Sequence, residues 1–120
     1  MEIKAAVVAL SALAHENRLS VFRMLVQAGR EGLPAGEIAR RLGVPPNTLS
    51  ANLTVLSHAG LVISRRQGRS IIYTAEYDRM SDLLVYLVDD CCGGHPEVCM
   101  PLTKAAKRAA CCSQPQGTPS

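Results

Sequence analysis

The sequence predicts a mostly α-helical domain with one small β-hairpin, and three observations predict it. Apolar residues recur at three- and four-residue spacing through most of residues 2–60, the signature of helices with one buried face. Glycines at 29, 43 and 60 end the periodic stretches, as helix C-termini require. The texture then changes once, in LVISRRQGRSIIYTAEY, where β-branched residues flank the basic turn RRQGR, a hairpin pattern.

Composition bounds what this domain can be. At 120 residues with 48% apolar content, the chain is one folded domain with a modest core. It has no Trp, one Phe and three Tyr, so the core must be aliphatic. Charge is uneven. Residues 30–75 carry six Arg against two Glu, and residues 76–100 carry one Arg against six acids. A basic middle beside an acidic segment points to a polyanionic partner for the middle alone. No stretch reaches the ~18 apolar residues of a membrane helix. Glu2 offsets Lys4, so the N-terminus lacks the positive charge of a secretion signal. Five cysteines, an odd number, argue against a secreted disulfide framework. A reduced, cytoplasmic protein without membrane partners is expected.

Each element follows in order. Ile3, Val7, Leu10 and Ala14 lie on a helix over 2–13 that is apolar on nearly every side, so it must pack against a second helix or a second subunit. HENRLSVFRMLVQAG continues as a helix with Leu19, Phe22, Met24, Leu25 and Val26 as its apolar positions, closed by Gly29. EGLPAGEIARRLG gives a turn and a short helix over 35–42. PPNTLSANLTVLSHAG gives another, with proline at its start, where a missing N–H costs little, and Leu49, Leu53, Val55 and Leu56 as its buried side. After the hairpin, MSDLLVYLVDD returns to helix through Met80, Leu83, Leu84, Tyr86, Leu87 and Val88. LTKAAKRAACC suits a frayed helix, and SQPQGTPS a disordered tail.

Two short helices joined by a turn and followed at once by a basic hairpin describe a winged helix-turn-helix. A helix entering the DNA major groove presents short polar side chains from its N-terminal end, where Asn47, Thr48, Ser50, Ala51 and Asn52 lie. Arg65, Arg66, Gln67 and Arg69 at the hairpin tip suit the phosphate backbone or the minor groove. Arg40 and Arg41 close the preceding helix within reach of phosphates. A Ser or Thr near a helix start is ordinarily a cap, and RRQGR alone an ordinary solvated turn. The order helix, helix, basic hairpin is what points to double-stranded DNA. No nucleophile with an ordered base appears, so the sequence does not read as an enzyme.

LSALAHENRLSVFRML and EIARRLGVPPNTLSANLTVLSHAGLVISRRQGRSIIY resemble the ArsR/SmtB family of metalloregulatory repressors over about residues 8–90. The run L-x-x-L-x-x-x-G-L-V-x-x-R-R-x-G-R, Leu53 to Arg69, is the most specific part. The resemblance implies a winged-helix homodimer joined through its first and last helices. It also implies an imperfect palindrome as operator and release of DNA when an inducer binds. Thr48 and Ser50 match the family's polar readers, and Arg65, Arg66 and Arg69 its wing. Two departures concern base preference: Pro46 stands where the family often has Gln, and Ala51 where it often has His. A third concerns the inducer. The Cys-Val-Cys motif of the arsenic-responsive founders has no counterpart in GLPAGEI, which contains no cysteine.

The thiols lie elsewhere. Cys91, Cys92 and Cys99 fall in DDCCGGHPEVC. Neighbours in a continuous helix point about 100° apart, but Gly93 and Gly94 allow the backbone to turn both thiols inward. Pro96 restricts the loop to Cys99. Three thiolates on a compact loop suit a soft ion of low coordination number. Trivalent arsenic or antimony takes three sulfurs; zinc wants four ligands, so His95, Cys111 or Cys112 would have to complete its shell. Cadmium, lead and a thiol redox switch remain open on this chemistry. The resemblance narrows the choice, since DDCCGGHPEVC is similar to the signature of an arsenite-responsive subset with a C-terminal Cys-Cys pair and a third Cys. The expected organisation is a DNA-binding and dimerisation domain over 1–90 and a cysteine-containing inducer loop with a flexible tail over 91–120. As(III) is the expected inducer, and Cys111 and Cys112 are expected to be dispensable.

Overall fold

The computed structural model describes residues 1–88. The chain divides into two compact units, Met1–Leu83 and Leu84–Ser120, and the second is described only through Leu84–Val88. Cys91, Cys92, Cys99, Cys111 and Cys112 lie outside the described residues, as do His95 and the expected frayed helix.

The elements in chain order are α1 (Ile3–Leu13), α2 (Glu16–Ala28), a 3-10 turn (Gly29–Glu31), β1 (Leu33–Pro34), α3 (Ala35–Leu42), α4 (Pro46–His58), β2 (Val62–Gln67), β3 (Ser70–Ala75) and α5 (Tyr77–Val88). Helix and hairpin therefore fall where the periodicity put them. Their ends have local causes. His15 caps α2 by accepting from the Asn17 N–H on Nδ1 at 3.1 Å. Arg18 donates from Nε to the Ala12 carbonyl at 2.7 Å, satisfying an acceptor that the end of α1 leaves over. Gly43 terminates α3 in the left-handed region, its N–H donating to Ala39 O at 2.8 Å.

The sheet is larger than the hairpin that the sequence announced. Its order is β1-β3-β2, all antiparallel. β1 contributes two residues, Leu33 opposite Tyr73 and Pro34 opposite Ile72. A two-residue strand that includes a proline has no alternation to read, so only its tertiary partner identifies it. Gly32 makes the pairing possible. It holds φ +69°, and a Cβ there would run into Tyr73 O and the γ2 methyl groups of Thr74 and Ile72.

The core is aliphatic, as composition required. Leu25, Ile38, Leu49, Leu56 and Leu61 are fully enclosed, and Phe22 is the one aromatic among the buried residues. Two of the expected facings differ, on α2 and α4, and α1, apolar on nearly every side, resolves into a buried and an exposed stripe. On α1 the buried stripe is Ala6, Ala9 and Ala12, while Ile3, Val7, Val8 and Leu10 stay 42–67% exposed. Small side chains let α1 lie close against its neighbours, which turns the larger ones outward. On α2 the buried set is Val21, Phe22 and Leu25, and Leu19 is exposed. On α4 Val55 faces out, and Asn52 takes a buried place beside Leu49, Leu53 and Leu56.

α5 starts three residues before the expected Met80. Tyr77 donates its hydroxyl hydrogen to Val26 O at 3.2 Å, near the end of α2. Glu76 Oε1 accepts from the Asp78 N–H at 3.3 Å. These two contacts fix where the helix begins.

Candidate nucleic-acid interface

α3 and α4 form the helix pair of a helix-turn-helix. The turn between them runs from Gly43 to Pro45, and Pro46 opens α4. Consecutive prolines hold the entry in an extended conformation and stop α3 from continuing. Pro45 offers no capping side chain, and Asn47 compensates in part. Its Oδ1 accepts from the Thr48 N–H at 2.9 Å, which leaves the side-chain NH₂ free to donate. Asn47, Thr48, Ser50 and Ala51 are all exposed at the N-terminal end of α4. The structure thus gathers Asn47, Thr48 and Ser50 on one accessible helix end, as the sequence suggested.

Asn52 does not join them. Its residue exposure is 6%, and Nδ2 finds no hydrogen-bond partner among the described residues. The reason is helical phase: position 52 is one turn from Leu49 and Leu56, so it shares their inward face. Asn52 is therefore removed from the set of base readers. Thr54, exposed and one turn beyond Ser50, extends the outward polar stripe. Its hydroxyl donates to Ser50 O at 2.9 Å. The i+4 spacing from Ser50 was the available signal for it.

Arg40 and Arg41 are exposed at the end of α3, but neither is a free cation. Glu37 Oε1 accepts from Arg40 Nε at 3.1 Å, and Oε2 accepts from Arg40 Nη2 at 2.5 Å and Arg41 Nε at 2.7 Å. These hydrogen bonds, first from Arg40 and then from Arg41, lower the Glu37 pKa to about 2. The Arg40 guanidinium is held more firmly protonated by the same contact. Glu37 precedes the arginines by three and four residues, a helical ion-pair spacing visible in EIARR.

The wing separates its three arginines. β2 and β3 pair from Val62–Ala75 out to Gln67–Ser70, with Gly68 at φ +63° in the turn. Arg65 is bound: its guanidinium donates to Arg30 O at 3.3 Å and Glu31 O at 2.9 Å, on the 3-10 turn after α2. Arg66 and Arg69 are exposed and make no side-chain hydrogen bond or ion pair among the described residues. The wing therefore presents two unengaged arginines and one anchored one.

An exposed polar helix end next to a basic hairpin is a winged helix-turn-helix, a DNA-binding fold. Comparison with known proteins agrees. A helix-turn-helix domain family profile matches residues 13–65. The transcriptional activator HlyU of Vibrio cholerae is 37% identical over 82 residues, covering 66% of this chain and 73% of HlyU. Its solved reduced form superposes with a TM-score of 0.58 at 31% identity, over 72% of this chain and 90% of that one. The homodimeric winged helix-turn-helix DNA-binding domain of Mb0332 from Mycobacterium bovis, described as a possible ArsR-family regulator, gives 0.60 at 31% identity, over 73% and 81%. An ArsR-like regulator from Rhodococcus shares the fold over 97% of this chain and 96% of its own, at 23% identity and a TM-score of 0.63. The chain belongs to the ArsR/SmtB type of winged helix-turn-helix transcriptional regulators. It is a DNA-binding regulator and not an enzyme. Among the described residues no helix is long and apolar enough to cross a membrane.

Proposed function

We propose that the protein is a cytoplasmic repressor that binds an imperfect palindrome as a homodimer and releases it when trivalent arsenic binds Cys91, Cys92 and Cys99. The distribution of thiols carries the choice of inducer. All five cysteines lie at or beyond position 91, and the stretch leading into α3, Gly32–Ile38, has none. Among the described residues no group of three or more His, Cys, Asp or Glu is placed to hold a metal. Three thiolates within nine positions match the three-sulfur preference of As(III) and antimony, whereas a structural zinc site needs a fourth ligand.

The homodimer draws its support from α1. Ile3, Val7, Val8 and Leu10 are large, apolar and exposed, and Val7 and Val8 line a shallow groove with Val55 of α4 and Ala59 just after it. Fully burying one such side chain is worth roughly 1.5–3 kcal/mol, and these are 42–67% exposed, so a second copy covering this face would gain about half of that from each. Leu84, Val85 and Leu87 of α5 are likewise more than half exposed. A palindromic operator follows from two-fold symmetry. In this reading Asn47, Thr48 and Ser50 meet base edges, while Arg66 and Arg69 meet phosphates.

Release requires only that inducer bind the DNA-free arrangement more tightly than the DNA-bound one. A hundredfold preference corresponds to about 2.7 kcal/mol. The test is a mobility shift on the DNA upstream of the protein's own gene, titrated with arsenite, antimonite, zinc, cadmium, lead and peroxide. Arsenite should release the wild type and leave Cys99→Ser bound. Release of that variant by arsenite would refute the three-thiol site. A redox regulator using the same thiols is the second reading, favoured by the relative solved in a reduced form. Release by peroxide alone would select it.

A further inference from the structure

The structure assigns Arg65 a role unlike that of the other wing arginines: it is a positioning residue that ties the wing to the body and acts on DNA only through Arg66 and Arg69. The inference rests on the DNA-binding reading above and deepens it.

Arg65 lies on β2, an edge strand, directly opposite Ile72 of β3. Paired residues share a face of the sheet, and Ile72 on that face is buried. The Arg65 side chain runs along this side, past β3, to the 3-10 turn that leads into β1. There it donates to two successive carbonyls, Arg30 O and Glu31 O. The bond pair links positions 34 and 35 residues apart, and connects β2 to the chain segment entering the opposite edge strand. Arg66 alternates to the other face, with Ile71 as its exposed partner. Arg69 follows the turn glycine.

A two-stranded ribbon is marginally stable by itself, so the pose of its tip depends on what holds its base. β1 anchors β3 through two residue pairs. On the far side of β3, Arg65 supplies β2 with a side-chain tether of its own. The rigid guanidinium fork reaches two acceptors at once, which an ammonium on a flexible stem does not reproduce. A guanidinium already donating to backbone carbonyls has fewer N–H groups left for a phosphate.

Charge and anchorage give opposite predictions for Arg65→Lys. If Arg65 positions the wing, Lys behaves like Gln, and both weaken operator binding. In an Arg66→Gln/Arg69→Gln background, where no wing phosphate contact is left to position, Arg65→Gln should then cost less than twofold further affinity. If Arg65 contacts phosphate itself, Lys restores binding, and Gln costs the same factor in both backgrounds. In the Arg66→Gln/Arg69→Gln background its loss would also lower the slope of log affinity against log salt by about one. Either of those last results overturns the inference. Amide hydrogen exchange at residues 66–69 of the free protein gives a readout independent of DNA. Exchange there should accelerate in both Arg65→Lys and Arg65→Gln, and unchanged exchange overturns the tether. A wild-type affinity for Arg66→Gln/Arg69→Gln would instead refute the role of the wing in DNA binding, and exchange alone would then decide the tether.

Discussion

Glu37 Oε2 lies 2.7 Å from Arg41 Nε, one turn along α3, and the same carboxylate holds Arg40. Two cations at the edge of the helix-turn-helix therefore carry a built-in anion. Glu37→Gln removes it and frees both guanidinium groups for phosphate. We expect tighter binding to non-operator DNA, with a salt slope steeper by up to about two. A filter-binding titration from low to physiological salt measures it, and an unchanged slope would show that Arg40 and Arg41 stay clear of DNA.

The same clamp has a defined response to pH. Its folded pKa, about 2, lies below the ordinary 4.5. A carboxyl whose pKa is depressed on folding stabilises the native state fully above its unfolded value, and loses that contribution as pH falls toward the folded one. The clamp is thus intact at every pH above about 5. Any change in DNA affinity between pH 6 and 8 has another source. Thermal melts of wild type and Glu37→Gln should differ by the same small amount from pH 5 to 8 and converge as pH approaches 2.

Asn52 gives a stability prediction that also tests its place in the fold. A buried donor without an acceptor costs about 1–3 kcal/mol, and Leu keeps the same number of side-chain heavy atoms, branched at the same Cγ. Asn52→Leu should raise the melting temperature, by roughly 4–8 °C per kcal/mol for a domain of this size, and leave operator affinity intact. A large loss of affinity at unchanged stability would return Asn52 to the base-reading set.

Tyr77 ties α5 to the end of α2 through a single hydroxyl. Tyr77→Phe keeps the ring and deletes that donor, which should cost about 0.5–1.5 kcal/mol in urea unfolding, with little change in the m-value. No loss of stability would mean that water satisfies the α2 carbonyl equally well.

The exposed face of α1 predicts an assembly defect. Val7→Glu places a charge among Ile3, Val8 and Leu10, where a covering partner would have to desolvate it. Sedimentation should then show a folded monomer with much weaker operator binding. A dimer of wild-type stability would move the interface away from this face.

Helix periodicity, the punctuating glycines and the basic hairpin determined the class of fold from sequence alone, because these signals are local and repeat along the chain. The Asn47–Thr48–Ser50 cluster was legible for the same reason: side chains at one helix end stay together whatever surrounds them. Facing was not legible. α1 is apolar all round, so periodicity could not say that alanines turn inward and the larger side chains outward. Close helix packing decided that. Nor did α4 announce that Asn52 falls among leucines, since its polarity argued for the surface while its phase placed it in the core. Likewise β1 and the division of labour in Arg65-Arg66-x-x-Arg69 depend on partners more than 30 residues distant. Three arginines in one short motif are chemically equal in sequence; only the carbonyls of Arg30 and Glu31, brought alongside by the sheet, make one of them different.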